Sequence, residues 1–205
     1  NNFLTEYPLK HISAYQLTYE KGTKFFHMYK KNELNKIKDT QSLKFYRSTV
    51  EILENHNFQQ YEISNFSKTN FQSIHNKLYW NSENWFGIGP GAVSRFWNNN
   101  NDRFEIQNFK KPQTWVNKVL KYENSFKKII KIEDNISDKE ILIMGLRLIN
   151  GININKFKKK EFMSTDSFKY LLINKILKIK DQKVVINKSS LEKLNYILMK
   201  ITDTI

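Results

Sequence analysis

The segment His75-Asn-Lys-Leu-Tyr-Trp80 carries the residue types with the most specific chemistry in this sequence. An imidazole can ligate iron, and Tyr79 and Trp80 offer flat apolar faces to a planar ligand. On residue types alone, a hydrogen-bonded structural histidine is the more frequent case. His11 begins an expected strand, while His27 and His56 fall in helical or loop contexts with structural readings. The run Gly87-Ile-Gly-Pro-Gly-Ala92 could cradle phosphate through backbone N–H groups. No Gly-Lys-Ser/Thr follows it, Pro90 removes a donor, and the dinucleotide fingerprint is not matched. The favoured reading is a glycine corner, where a strand passes close to a bound cofactor or to another backbone. Glu20 and Glu62 follow the ends of two expected strands, where open α/β sheets and barrels place their chemistry. Either could act as acid or base, although no second carboxylate stands at a readable spacing. Arg147 is one of 4 arginines against 30 lysines, and a planar, bidentate structural salt bridge is the expected reason for it.

These residues need elements to hold them. His11–Thr18 alternates into a short apolar run, as a buried strand would. Thr40–His56 carries Leu43, Phe45, Tyr46, Val50 and Leu53 at roughly helical spacing. Phe58–Phe66 reads as a second strand. This strand–helix–strand order predicts a βα repeat with parallel strands. Residues 67–86 are polar and aromatic without a sustained period and are expected to form a loop, and Val93–Trp97 follows the glycine turn. The tract Asn98–Asn101 is the candidate boundary or loop tip. Pro112 suits the first turn of a helix, with Trp115, Val119 and Leu120 as its apolar face. Ser137-Asp-Lys-Glu140 matches a capping box that opens a helix through Ile141, Met144 and Leu148, stopping near Gly151. Phe168–Leu177 is expected to be helical, Lys178–Lys180 and Lys183–Asn187 to flank a turn at Asp181-Gln182, and Ser189-Ser-Leu-Glu192 to open a last helix. Helix, two short strands and helix make a winged-helix-like unit.

Composition narrows the classes. The 205 residues contain no cysteine, which excludes a disulfide framework, a zinc–thiolate site, a cysteine nucleophile and a self-contained iron–sulfur cluster. No apolar run approaches the length of a membrane span, and the first thirty residues show no signal-peptide core. A soluble, cytoplasmic protein is the expectation. The net charge is +14, with 30 Lys, 25 Asn and 23 Ile. The lysines are scattered rather than clustered with arginine. They read as a solvated, coding-biased surface in preference to a nucleic-acid patch.

Taken in order, HISAYQLT (11–18), YEISNF (61–66), HNKLYW (75–80), GIGPGAVS (87–94) and EILIMGLRLINGI (140–152) resemble the later half of a known family. That family is the haem chaperones of the radical S-adenosylmethionine superfamily, relatives of the oxygen-independent coproporphyrinogen III oxidase. The resemblance runs from about Pro8 to Ile201. It implies an α/β fold: the last strands and helices of a partial (β/α) radical SAM barrel, then a mainly helical, winged-helix-like C-terminal domain. Residues 1–97 would be the barrel part with the HNxxYW loop. Residues 98–112 would be a linker, and 113–205 a helical domain with a small β wing.

The family's cluster-binding cysteine motif and most S-adenosylmethionine contacts lie in its first half, so the chain looks like a fragment. The HNxxYW motif is associated with haem binding in the chaperone branch and maps onto His75, Asn76, Tyr79 and Trp80, making His75 the expected ligand of haem iron. Thr18 and Val93 fall, by the same analogy, near S-adenosylmethionine; Val93 stands where the chaperones usually carry histidine. Lys175, Gln182 and Ser190 stand where the family tends to have glycine.

The resemblance thus implies a haem chaperone that binds haem and transfers it to an acceptor haemoprotein. The full-length family would also hold a [4Fe–4S] cluster and S-adenosylmethionine. With no cysteines, no catalysis is expected from this chain alone. The alternatives are a fragment of the coproporphyrinogen oxidase itself or a basic winged-helix nucleic-acid binder. No nucleic acid is expected as a partner, and a peripheral membrane contact is left open. A barrel cut before its last strands would expose strand edges and an apolar face, and so be marginally stable or aggregate.

Overall fold

The computed structural model describes residues 2–35 and 37–202. These form an α/β chain with two compact units, Asn1–Gln72 and Ser73–Ile205.

The first unit holds helix α1 (Asn2–Glu6), strand β1 (His11–Ser13), helices α2 (Lys24–Lys30) and α3 (Asp39–Asn55), and strands β2 (Gln59–Glu62) and β3 (Asn65–Ser67). The apolar spacing read over Thr40–His56 forms α3. Of the strand expected over His11–Thr18, only the first three residues pair. Beyond Ala14, whose amide donates to the Ser64 carbonyl at 2.8 Å, the chain leaves the sheet with Tyr15 and Leu17 exposed. The strand expected over Phe58–Phe66 is two strands. The Glu62 carboxylate accepts from the Ser64 amide and the Asn65 side-chain amide, and the chain folds back on itself there. The sheet order is therefore β1-β3-β2 with both pairings antiparallel, which corrects the expected parallel βα pair. A two-residue turn closes a hairpin with little loop entropy, whereas a parallel pair needs a crossover. Leu53, Phe58 and Phe66 form the core of this unit, with Ile12 and Val50 against it.

The second unit begins with α4 (Ile74–Trp80) and continues as β4 (Val93–Trp97), β5 (Arg103–Asn108), α5 (Pro112–Tyr122), β6 (Phe126–Ile132) and α6 (Asp134–Gly145). It ends with β7 (Ile152–Asn153), α7 (Asp166–Ile173), β8 (Leu177–Lys180), β9 (Lys183–Ile186) and α8 (Leu194–Thr202). The loop expected over residues 67–86 contains α4. The Ser73 hydroxyl caps this helix by accepting from the Asn76 amide, and two turns of mixed aromatic and polar residues show no periodicity in sequence. Strands β4, β5 and β6 form an antiparallel meander. The Asn98–Asn101 tract turns its first hairpin. The Asn98 side-chain oxygen accepts from the Asn100 and Asp102 amides, while Asn101 takes a left-handed φ of 58°. Pro112 opens α5 as expected, with Trp115 and Val119 half-buried, but Leu120 is 80% exposed, one residue past their face.

Helix α6 starts at Asp134, so Ser137 lies inside it rather than capping it, and it stops at Gly145 rather than Gly151. Asp138 is buried, and its carboxylate accepts from the amides of Lys158, Lys159 and Lys160 at 2.8–2.9 Å. Strands β8 and β9 make the expected hairpin, with Asp181 and Gln182 both at positive φ, and β7 completes the order β7-β9-β8. Helix α7 ends at Ile173, so Leu177 opens β8. A 3₁₀ turn over Lys188–Lys193 precedes α8, where an α-helix was expected to open. Of the three positions where the resemblance expects glycine, Lys175 (φ 55°) and Gln182 (φ 58°) are left-handed. Ser190 is not; its amide donates to the Asn187 carbonyl inside the 3₁₀ turn. Among the described residues, no helix is long and apolar enough to cross a membrane.

Candidate functional site

Helical spacing in α4 decides which parts of HNKLYW act together. Residues four apart share a face, so His75 stands over Tyr79 and Asn76 over Trp80. His75 is exposed, and its ring meets that of Tyr79 edge-on, with centroids 4.8 Å apart and an interplanar angle of 76°. Tyr79 in turn meets Trp85, at 4.7 Å and 52°. Three rings thus form a column with its imidazole end open to solvent. An edge-to-face ring contact adds about 0.5–1.5 kcal/mol beyond its buried area.

The lower end of the column is fixed to the meander. Trp85 and Arg95 form an isolated antiparallel bridge, the Trp85 amide donating to the Arg95 carbonyl at 2.8 Å and the Arg95 amide returning at 3.0 Å. The Arg95 guanidinium reaches Glu105 at 2.5 Å and both carboxylate oxygens of Glu140 on α6, at 3.2 and 3.3 Å. Arg103 is 2% exposed, lies 3.5 Å from Glu140, and covers the Trp97 ring at 5.3 Å. Its pKa lies below the ordinary guanidinium value, chiefly through burial, with Glu140 opposing and Arg95 adding to the shift. Two arginines and two glutamates leave this cluster without net charge, which is how a nearly buried guanidinium is tolerated.

Trp80 faces a different environment from His75. The Arg147 guanidinium lies over its ring at 5.4 Å, and its indole N–H is buried with no acceptor among the described residues. Beyond the helix, the Lys156 ammonium donates to the Asn81 carbonyl at 2.6 Å and pairs with Glu83. Trp80 and these contacts hold the C-terminal end of α4 in place, while its N-terminal end presents His75.

The glycine run is a corner, and the partner it approaches is its own backbone. A Cβ on Gly87 would lie 2.5 Å from the Val93 carbonyl oxygen. The Gly87 amide donates to the Ser94 hydroxyl and the Gly91 amide to the Phe109 carbonyl. The Asn108 side chain donates to the carbonyls of Gly87 and Gly89. The Gly87 and Gly91 amides are thus committed internally and are not offered to a phosphate. The corner leaves Phe86 69%, Ile88 90% and Val93 40% exposed.

In the first unit, Thr18 lies on the rim of a cavity of about 430 Å³ lined also by Tyr15, Tyr19, Tyr29, Tyr46 and Asp39, and its hydroxyl donates to Glu20. Tyr19 and Tyr29 stack at 5.1 Å. Glu62 is buried in its turn. His11 bonds the Tyr61 hydroxyl at 2.8 Å, and burial lowers its pKa. His56 bonds the Ile52 carbonyl, and His27 lies against Phe26. Among the described residues, no group of three His, Asp or Glu side chains could hold a metal ion. Sequence reasoning missed Trp85 and the Arg95–Glu140 cluster. The rarity of arginine marks Arg95 and Arg103 as it marked Arg147, and that signal could have found them.

No protein-family model matches the chain. It is 33% identical over 145 residues to the mitochondrial radical S-adenosyl methionine domain-containing protein 1 of Danio rerio, covering 69% of this chain and 33% of that protein. The protein of the same name from Dictyostelium discoideum is 34% identical over 169 residues, 72% of this chain and 38% of its own. The haem chaperone HemW of Bacillus subtilis is 27% identical over 180 residues, 88% of this chain and 45% of its own. The chain thus spans from a third to under half the length of these curated relatives. Among solved structures, coproporphyrinogen III oxidase (HemN) from Escherichia coli, a radical SAM enzyme, matches 82% of this chain and 42% of its own. Its TM-score of 0.57 at 12% identity is a likeness of fold.

Proposed function

Because the chain belongs to the family of radical SAM haem chaperones and radical S-adenosyl methionine domain-containing proteins, we propose that it supplies the haem-handling later part of such a chaperone, with His75 as axial ligand to haem iron. The observation that supports this reading is the exposed imidazole at the open end of the His75–Tyr79–Trp85 column. Haem is cargo in this reading. A single imidazole on a solvent-facing helix face binds iron through a neutral ring nitrogen and leaves the opposite axial position to an acceptor haemoprotein. Ligation and release are then ligand exchange, without electron transfer to or from the chain.

Tyr79 packs beside the macrocycle, while Trp80, beneath the Arg147 guanidinium, holds α4 from the neighbouring face and the Asn76 amide closes the Ser73 cap. In the full-length relatives the family name implies a [4Fe–4S] cluster and S-adenosylmethionine. These 205 residues contain no cysteine and offer no thiolate to a cluster. Thr18, lining the aromatic cavity of the first unit, and Val93, at the glycine corner of the second, are carried by the resemblance alone as residues near S-adenosylmethionine. The oxidase alternative has only the fold likeness behind it.

Titrating haem into the wild type and His75→Ala tests the ligand. A saturable Soret band is expected from the wild type. His75→Ala is expected to bind at least tenfold more weakly, with the band displaced. An unchanged spectrum and affinity would remove His75 from the site.

A further inference from the structure

We infer that Trp85 is a positioning residue for the His75 imidazole, acting through Tyr79; this rests on the reading of His75 as the haem ligand. An exposed histidine near the start of a short helix is free to change rotamer, and each change moves the nitrogen that must meet the iron. Tyr79 restricts this by standing edge-on to the imidazole at 4.8 Å. Tyr79 sits on the same two-turn helix, so it can hold His75 only if something outside the helix holds it. Among the described residues, the ring in contact with it from outside α4 is Trp85, at 4.7 Å.

Trp85 is suited to that task because it is not held by packing alone. Two backbone hydrogen bonds tie it to Arg95, and the Arg95 side chain is tied to Glu105 on β5 and Glu140 on α6. The position of the imidazole is thereby referred to a three-stranded meander and a helix, and not to the loop on which Trp85 lies. A ligand already in its bound orientation loses less side-chain freedom on binding, so the column favours both affinity and one axial geometry.

The test compares the full chain as wild type, His75→Ala, Trp85→Leu and Trp85→Phe, with two readouts. The first is haemin titration followed by the Soret band. The second is the chemical shift of the His75 ring protons without haem, which senses the tyrosine ring beside it. Trp85→Leu is expected to keep its circular dichroism, since the bridge to Arg95 is made by backbone atoms. It should bind haemin three- to tenfold more weakly, broaden or displace the Soret band, and move the His75 resonances toward those of a free imidazole. Trp85→Phe keeps a ring in place and should restore both readouts.

If Trp85→Leu matches the wild type in both readouts while His75→Ala loses the haem spectrum, the inference fails and the haem reading stands. If His75→Ala binds haemin as the wild type does, both fall. Where Trp85→Leu loses its fold, Trp85→Met, unbranched and apolar, takes its place with the same outcomes.

Discussion

His11 and His75 are both imidazoles beside a tyrosine, and burial separates their roles. His75 meets the ring of Tyr79 edge-on at 4.8 Å with its imidazole exposed. His11 is half-buried, spends a nitrogen on the Tyr61 hydroxyl at 2.8 Å, and has its pKa lowered by burial. In the unfolded chain His11 titrates near about 6.5, above its folded value. Below that pH the unfolded chain binds more protons than the folded one, so folding loses stability as pH falls from about 6.5 toward the folded pKa. The first unit is expected to melt at a lower temperature at pH 5.5 than at pH 7.5, with His11→Gln narrowing the gap. An equal pH dependence in the two proteins would show that His11 is not its source. The residue types of HNKLYW were legible because the chemistry of imidazole and flat rings is carried by single side chains. Trp85 was not, since its role comes from a bridge to Arg95 that no local spacing encodes.

Elements show the same division. Helix α3 could be read because its apolar residues recur along 17 positions. The hairpin of β2 and β3 could not. Phe58–Phe66 holds no glycine or proline, and nothing local reveals that the Glu62 carboxylate turns the chain at Ile63-Ser64, so it read as one strand and implied a parallel pair. Helix α6 was expected to open at the Ser137–Glu140 box and stop near Gly151; it opens earlier, at Asp134, and ends earlier, at Gly145, because its end is set by tertiary contact. A Cβ on Gly145 would lie 2.4 Å from the Cβ of Ile152, so the last turn of α6 lies directly against β7. Gly145→Ala is therefore expected to destabilise the second unit by about 1–3 kcal/mol, the range for overpacking a tight core. Urea denaturation would measure it. A neutral or stabilising result, as ordinary helix propensity favours for alanine, would show that β7 can move aside.

At the scale of the molecule, the distribution of apolar burial matters more than the +14 charge. Among the described residues, four of the buried apolar side chains lie in the first unit: Leu53, Phe58, Tyr61 and Phe66. The other twenty lie in the second. Conformational entropy opposes folding of each unit in proportion to its length, while hydrophobic gain follows the area buried. The first unit, roughly a third of the chain with a sixth of its buried apolar residues, is the weaker one, and its β1 and β2 edges and the open aromatic cavity add nothing to offset this. Thermal unfolding is expected in two steps, the first unit melting before the second. Removing a buried phenylalanine costs about 3–5 kcal/mol and a buried isoleucine about 2–5 kcal/mol. Phe66→Ala should then lower or abolish the first transition alone, and Ile141→Ala, at 0% exposure in the second unit, should lower the second alone. Calorimetry distinguishes this from a single cooperative transition displaced by both substitutions, which would mean that the two units share one folding equilibrium and that burial in the second stabilises the first.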